Sequence, residues 1–369
     1  SGKIRHIMKY LNNILLKYFL HQLPPEFAHN ITLKLIKTGL FLNNPINNSK
    51  NLNIKLGNID FRHPIGLAAG FDKDGEVFHK IDKLGLSHSE IGTVTPQFQI
   101  GNEKPRVFRL NKDNAIINRL GFPSKGLEYL KKRIKKYNSN IPLGINIGCN
   151  KDTINQVSDY SILTKNLGEY ADWITINISS PNTPGLRSIQ TSDLLPKLLN
   201  TVNNERENIE NKRGSALQVW LKISPDLNDN ELKNLIDVSL EHNINAICIS
   251  NSTIARSYEL KSKNRNENGG LSGSPLTLQS TKILAKAYLH AHNNIKFIGI
   301  GGITSADDAY LKMLAGASIL QLYTGLIFKG PDLINKIVKE LDNKSNMNNI
   351  SNIIGSKAYE IANGHFINE

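Results

Sequence analysis

The residues best suited to chemistry in this chain are small, polar and gathered where short apolar runs end. Asn177-Ile178-Ser179-Ser180-Pro181-Asn182 sets two hydroxyls between two side-chain amides. Lys222 lies inside the run Trp220-Leu221-Lys222-Ile223, where burying an ammonium without an anion or acceptor is costly. Lys73 closes Ala68-Ala69-Gly70-Phe71-Asp72-Lys73. Asn118, Asn177, Asn182 and Asn251 offer amides that both donate and accept, which suits a ligand carrying donors and acceptors together. Gly301-Gly302 and Tyr323-Thr324-Gly325 supply backbone able to close on phosphate oxygens, and a helix starting near Thr304 would add its positive end. Gly66, Gly70 and Gly273 would let backbone approach a flat ring. Taken singly, each has an ordinary reading: Ser-Ser-Pro makes a turn or cap, a Gly pair makes a tight turn, and a lysine at a strand end reaches solvent.

What positions them is a rhythm. Apolar, β-branched runs recur at 65–69, 90–93, 143–147, 173–178, 218–223, 246–250, 297–300 and 318–323. Helical patterns fall near 75–85, 124–137, 153–168, 191–209, 229–242, 276–291, 305–315 and 331–341. This alternation predicts an α/β chain folded as a (β/α)8 TIM barrel, in which functional groups stand where strands end and the loops to helices begin. The residues above fall at those places, and the two glycine-rich pieces follow the seventh and eighth strands, the common phosphate position of such barrels. A doubly wound sheet shares the alternation, but no G-x-G-x-x-G opens a helix after the first strand and no P-loop is present.

Of the 369 residues, 39% are hydrophobic and 21% charged, enough apolar content for a large core and too much for wholesale disorder. Two cysteines, Cys149 and Cys248, exclude a disulfide framework and a four-cysteine metal site, and read as small core residues of a protein from a reducing compartment. No apolar run reaches the length of a membrane span. The net charge of +13 is uneven: residues 1–56 hold eight lysines and arginines against the single acid Glu26, or +7. Residues 4–19 are patterned as an amphipathic helix, and Pro24-Pro25 opens a second helix to about Lys37. The pair reads either as ordinary helices docked on the body or as a hairpin lying on an anionic membrane surface. An Asn-rich linker at 43–51 and a hairpin of 52–56 and 59–62 follow. The division is a helical segment at 1–42 and a barrel at 52–369.

The pieces AAGFDK, GTVTP, NRLGF, GINIG, NISSPNTPGLR, GGLSG, GIGGI and YTG occur in one order along the chain. Together they resemble the dihydroorotate dehydrogenases, and within them the membrane-associated, quinone-using class 2. The resemblance covers essentially the whole chain. It implies an FMN flavoprotein of pyrimidine biosynthesis that oxidises dihydroorotate to orotate and returns its electrons to a membrane quinone. By the same resemblance Ala68, Ala69, Gly70, Phe71, Asp72, Thr93, Asn146, Asn177, Lys222, Ser250, Gly273, Gly302, Tyr323 and Thr324 contact FMN. Lys73, Asn118, Arg119, Leu120, Gly121, Phe122, Asn177, Asn182, Asn251 and Ser252 hold the substrate. Ser180 is the implied catalytic base, relaying its proton toward Thr183 and an ordered water, at a position where soluble class 1 relatives place cysteine. A flavin gains negative charge on reduction, which gives Lys222 the anion that burial asks for.

With that resemblance the N-terminal hairpin becomes the quinone entrance, docked on anionic lipid. Deleting residues 1–40 should then abolish quinone reduction while leaving the flavin bound. The expected location is peripheral, on the cytoplasmic face of a bacterial inner membrane, with the mitochondrial inner membrane as alternative. No metal and no nucleic acid is expected. The sequence departs from the family at Gln97, where a basic residue is usual, at Phe98-Gln99-Ile100 in place of a proline-rich stretch, at Pro123 for Asn, and at Cys149 for Lys. Competing readings are a tRNA dihydrouridine synthase, which should carry a cysteine acid and spread its positive charge over the body, a flavin-free scaffold that kept only the fold, and a soluble class 1 enzyme.

Overall fold

The computed structural model describes residues 19–39, 46, 49–257, 259–345 and 347–366. The helix expected at 4–19 therefore lies outside the described residues but for Phe19. Described strands are the hairpin β1 (Ile54–Leu56) and β2 (Ile59–Phe61), then β3 (Ile65–Leu67), β4 (Ser89–Val94), β5 (Val107–Leu110), β6 (Ala115–Asn118), β7 (Leu143–Ile147), β8 (Trp173–Asn177), β9 (Gln218–Ile223), β10 (Ala246–Ile249), β11 (Gly270–Gly273), β12 (Lys296–Ile300) and β13 (Ile319–Leu322). Eight of them, β3, β4, β7, β8, β9, β10, β12 and β13, close a barrel in that order, and the pairs are parallel. Their residues are buried almost without break, as expected where helices cover the outer face of a parallel sheet. All eight predicted strands coincide with these, with ends shifted by one or two residues.

At the N-terminal end of the barrel, large side chains fill the bore. Trp173 and Trp220 stack with centroids 4.2 Å apart, and Phe61 packs edge-on against His88. Glycine at 66 and 144 is required by this packing. A Cβ on Gly66 would lie 2.1 Å from the His88 ring, and one on Gly144 2.0 Å from Trp173. Gly66 thus accommodates His88 rather than a bound ring, and Gly273 accommodates Asn114 O, 2.3 Å from where its Cβ would be.

Two features were not expected. The segment 78–84 is a 3-10 helix rather than an α-helix. A three-stranded antiparallel sheet, β5-β6-β11, borders the C-terminal mouth of the barrel. Its four-residue strands are too short for periodicity to reveal, and β6 carries Asn118 on a strand end where the sequence suggested a loop.

The second predicted helix is present at Pro25–Thr38, with Pro in its first turn and Gly39 at φ 86° ending it. Three tethers hold it to the barrel. Arg106 donates to Glu26 through Nε at 3.1 Å and Nη2 at 2.9 Å. Arg109 donates to the carbonyls of His21 and Leu23 at 3.1 and 2.7 Å. At the far end Lys37 pairs with Glu76, which also accepts from Lys125 at 2.7 Å and from the Tyr129 hydroxyl at 2.5 Å.

Burial alone would raise the Glu76 carboxyl, but the hydrogen bonds from Lys125, Lys37 and Tyr129 outweigh it and hold the group at about 2, below its ordinary 4.5. A carboxyl depressed by folding stabilises the fold above its unfolded pKa, and that contribution is lost as pH falls through the folded value. The wild type should therefore lose this contribution between about pH 4.5 and 2. Glu76→Gln should melt lower at neutral pH and lack that component, which thermal melts across the acid range will read. Parallel melting curves for the two proteins would contradict it.

Candidate active site

A cavity of about 580 Å³ opens at the C-terminal ends of the barrel strands, beneath the helix Pro25–Thr38 and beside β6 and β11. Ala68, Ala69, Gly70, Phe71, Asp72, Lys73, Thr93, Asn118, Leu120, Gly121, Phe122, Asn177, Ser180, Asn182, Lys222, Ser250, Asn251, Ser252, Gly273, Gly302, Tyr323 and Thr324 all line it. Two expected residues do not. Asn146 lies one layer deeper. Arg119 turns away, pairing with Glu267 at 2.7 Å, donating to Pro105 O at 2.9 Å and lying over the Phe108 ring. Neighbours at a strand end point to opposite sides, so Asn118 reaches the cavity and Arg119 braces the sheet from behind.

The floor is a closed polar layer. Asn146 Oδ1 accepts from the Thr93 hydroxyl at 2.5 Å and from Asn177 Nδ2 at 3.0 Å, while its Nδ2 donates to Glu90 at 2.8 Å. Glu90 is fully buried and also accepts from Trp173 Nε1, the Thr175 hydroxyl and Gln321 Nε2 at 3.0–3.1 Å. Four donors satisfy its two oxygens, as burial of a polar group requires. Glu90 escaped the sequence reading because a single acid in an apolar strand carries no spacing signal.

The asparagines form two bonded sets. Asn182 Nδ2 donates to Asn118 O at 3.1 Å. Asn177 Oδ1 accepts from the Ser179 hydroxyl at 2.9 Å, and Ser179 Oγ accepts from Asn251 Nδ2 at 3.0 Å. Ser179 is thus the link between two of the four amides, a role its position beside Ser180 concealed. Ser180 Oγ accepts from the backbone N–H of Asn182 at 3.2 Å, and no hydrogen bond joins it to Thr183 among the described residues.

Arg187 braces the loops behind these residues. It donates to Ser179 O at 2.9 Å, to Ser252 O at 2.7 Å and to Asp226 at 2.7 Å. Against the upward push of burial, hydrogen bonds from the Thr253 hydroxyl, the Ile254 N–H and Arg187 hold the Asp226 carboxyl below its ordinary value. A misplacement of about 1 Å at a reacting group costs about a hundredfold in rate. Arg187→Ala should slow the first chemical step by about that factor, and added guanidinium should restore part of it. A variant with an unchanged rate would show the brace to be dispensable.

Both cavity lysines lack a partner. Neither Lys73 nor Lys222 has a hydrogen bond or ion pair among the described residues, although Lys222 is only 5% exposed. Burial lowers the pKa of Lys73, opposed by Asp74 and Glu26. Two such ammoniums at one cavity call for anionic or acceptor-rich ligands. Asp72 faces the other way: its carboxylate accepts from the N–H groups of Glu76 and Val77 at 2.6 and 2.8 Å, and burial pushes it up to about 6.

A third set is made of backbone. Gly302, with φ 77°, has no room for a side chain, since a Cβ would sit 2.4 Å from Thr277 Cα. The carbonyls of Gly301 and Gly302 are bound from behind by the hydroxyls of Ser280 at 3.1 Å and Thr277 at 2.7 Å. The N–H groups of Gly302 and Ile303 find no acceptor among the described residues and stand at the cavity beside the uncapped start of the helix Thr324–Lys329. The helix after β12 does not contribute as expected: it begins at Ala306, Ser305 caps it, and Asp308 takes the Thr304 N–H at 2.8 Å.

The upper wall comes from the helix Pro25–Thr38 and the turn before it, through Leu20, His21, Glu26, Ala28, His29 and Leu33. His29 meets Phe71 edge-on, and burial, aided by the charge of Lys73, lowers it to about 3. Phe98 and Ile100 line the mouth while 66% and 71% exposed. Gln99 between them holds the loop in place, donating to Phe122 O at 2.8 Å. Both cysteines are buried, and burial raises both thiols, Cys149 to about 12. No cluster able to hold a metal ion occurs among the described residues.

A family model described as dihydroorotate dehydrogenase matches residues 51–344. The protein named dihydroorotate dehydrogenase (quinone) of Bartonella tribocorum is 41% identical over 334 residues, covering 90% of this chain and 92% of its own length. Its namesake from Vibrio parahaemolyticus is 41% identical over 327 residues, covering 87% of this chain and 97% of its own. The crystal structure of DHODH from Eimeria tenella in complex with ferulenol superposes with a TM-score of 0.88 at 35% identity, over 94% of this chain and 98% of that one.

Proposed function

The chain belongs to the dihydroorotate dehydrogenase family, in its quinone-dependent class 2, and from that membership we propose that it is an FMN enzyme oxidising dihydroorotate to orotate for pyrimidine biosynthesis, with a membrane quinone as electron acceptor. The observation that carries the reading is a single cavity whose lining joins unpaired backbone donors, two unpartnered lysines, Ser180 and the wall of the Pro25–Thr38 helix. The donor set fits FMN. Free N–H groups at Gly302 and Ile303, with the start of the Thr324–Lys329 helix, suit a phosphate, and Lys222 beside the Asn177–Asn146–Thr93 layer suits the polar edge of the flavin ring.

Oxidation of dihydroorotate removes a proton from one ring carbon and a hydride from its neighbour. Held by the Gly302 and Ile303 N–H groups and by Lys222, bound FMN would supply the hydride acceptor and the electron carrier to the quinone. Ser180 takes the proton. Its hydroxyl is a weak base, so its own proton must leave, through water toward Thr183, while the Asn182 N–H steadies negative charge on Oγ. Lys73 supplies the counter-charge for the substrate carboxylate. Asn118, Asn177, Asn182 and Asn251, fixed by their mutual bonds, orient the ring.

The quinone side is the mouth under the Pro25–Thr38 helix. His29 stays neutral at working pH, so it can offer one hydrogen bond to a quinone carbonyl without charge. Phe98 and Ile100 at the mouth, and Phe27 on the helix at 55% exposed, are apolar side chains suited to lie against lipid. No helix among the described residues is long and apolar enough to cross a membrane. The attachment we infer is peripheral, on the cytoplasmic face of an inner membrane, and the division into an N-terminal segment (1–42) and a barrel (52–369) belongs to this reading. The test is steady-state turnover of dihydroorotate by the full chain with a soluble ubiquinone analogue, fumarate or NAD+ in turn. Turnover with the quinone alone is expected; a preference for fumarate or NAD+ would overturn the class.

A further inference from the structure

Behind the Gly301–Gly302 loop, outside the cavity, lies a lysine with no role in the chemistry above. Lys312, on the helix Ala306–Leu314, is wholly buried. Its ammonium donates to the hydroxyls of Ser280 at 2.7 Å and Thr281 at 3.1 Å, both on the helix Thr277–Ala291. No carboxylate pairs with it among the described residues. Asp308, on its own helix, is committed to the Thr304 N–H and hydroxyl at 2.8 and 2.9 Å. An ammonium held this way is costly compared with an apolar side chain of the same shape. The Lys312 stem runs past Gly299, where a Cβ would come within 2.7 Å of Leu320 and 2.9 Å of Ala317 and would touch Lys312 Cδ at 3.4 Å.

What the ammonium gains lies one bond further on. Ser280 Oγ, accepting from Lys312, has its own proton free for Gly301 O at 3.1 Å, with Thr277 O at 3.2 Å as the other acceptor. Thr277 binds Gly302 O in the same manner. In a trans peptide the N–H points opposite to the C=O. Drawing these two carbonyls toward the helix therefore turns the N–H groups of Gly302 and Ile303 toward the cavity.

We propose that Lys312 is the positioning residue of the phosphate cradle: through Ser280 it fixes the Gly301 carbonyl, aims the Gly302 N–H at the cofactor phosphate, and places positive charge behind the loop. The inference rests on the FMN reading. Burial brings the Lys312 ammonium down to about 7, with Asp308 opposing. A phosphate dianion across the loop favours its charged form.

The test uses the full chain as purified, with Lys312→Met, Ser280→Ala and the double variant. FMN release on dilution is followed by the return of flavin fluorescence, and the apoproteins are titrated with FMN and with riboflavin, which lacks the phosphate. Each single variant should bind FMN about tenfold or more weakly, the scale of a lost charge-assisted hydrogen bond. The double variant should be no weaker than the worse single one, because both act along one path. Riboflavin affinity should stay within about twofold, below what a lost hydrogen bond costs. Unchanged FMN binding, or equal loss for FMN and riboflavin, would overturn the proposal and leave Lys312 a packing residue. Ser280→Ala removes one oxygen only, which keeps the test valid should Lys312→Met fail to fold. A wild-type chain that takes up no FMN would overturn the cofactor reading instead.

Discussion

Ser180→Ala should slow reduction of the bound flavin by dihydroorotate by about a thousandfold, within the 10²–10⁴ that a positioned base contributes. The size follows from what surrounds the hydroxyl. Ser180 is 5% exposed. The only group bonded to its Oγ among the described residues is the Asn182 N–H. Among the described residues no neighbouring carboxylate or imidazole is placed to take over the proton: Asp226 is engaged by Arg187, Thr253 and the Ile254 N–H, and His29 stands on the helix wall against Phe71, lowered by burial to about 3. Removing one hydroxyl opens little space and leaves the cradle and floor untouched, so flavin content should match the wild type. Reoxidation of chemically reduced flavin by quinone should keep its wild-type rate. Anaerobic stopped-flow absorbance measures both steps. A bleaching rate within about threefold of wild type, far short of a base's contribution, would remove Ser180 from the role of base.

The second large effect should fall on the opposite half-reaction. Deleting residues 1–39 removes the wall supplied by Leu20, His21, Glu26, Ala28, His29 and Leu33 and opens the cavity to water. Quinone turnover should fall at least about a hundredfold, because an apolar acceptor then loses its enclosed path and its dry surroundings. Bleaching by dihydroorotate should persist, since Ser180, the asparagines and the cradle lie on barrel loops. Deletion also takes Ile36 out of the core and leaves Arg106 without Glu26, so a lower melting temperature is expected. Ala28→Phe separates the two effects: it keeps the helix and its tethers but puts a ring where a buried alanine lines the cavity. It too should lose quinone turnover and keep bleaching. Full quinone turnover in both variants would place the acceptor elsewhere.

Much of this was legible in the residues. The barrel strands announce themselves as β-branched runs between helical patterns, because burial on both faces leaves no polar alternation to blur them. The glycine pairs and the asparagines fall at strand ends, where the fold makes them face one cavity. Other features were hidden for physical reasons. The strands of β5-β6-β11 are too short to show a period, so nothing in the pattern distinguishes the strand end at Asn118 from a loop. Arg119 shares a motif with Asn118 yet points away from it, since adjacent side chains at a strand end diverge. Ser305 and Asp308 spell a capping pattern in the sequence, and reading it would have shown that the helix start near Thr304 was already satisfied. Glu90, Arg187 and Lys312 act through partners far along the chain, which spacing cannot reveal.

The most direct test of the central claim is an anaerobic visible spectrum of the purified full chain, before and after adding dihydroorotate and then a soluble quinone. The expected result is a flavin spectrum that bleaches with the first addition and returns with the second, so that both half-reactions are seen on one sample. A flavin that stays oxidised in excess dihydroorotate would contradict the substrate assignment, and a preparation without flavin would contradict the cofactor on which the whole mechanism rests.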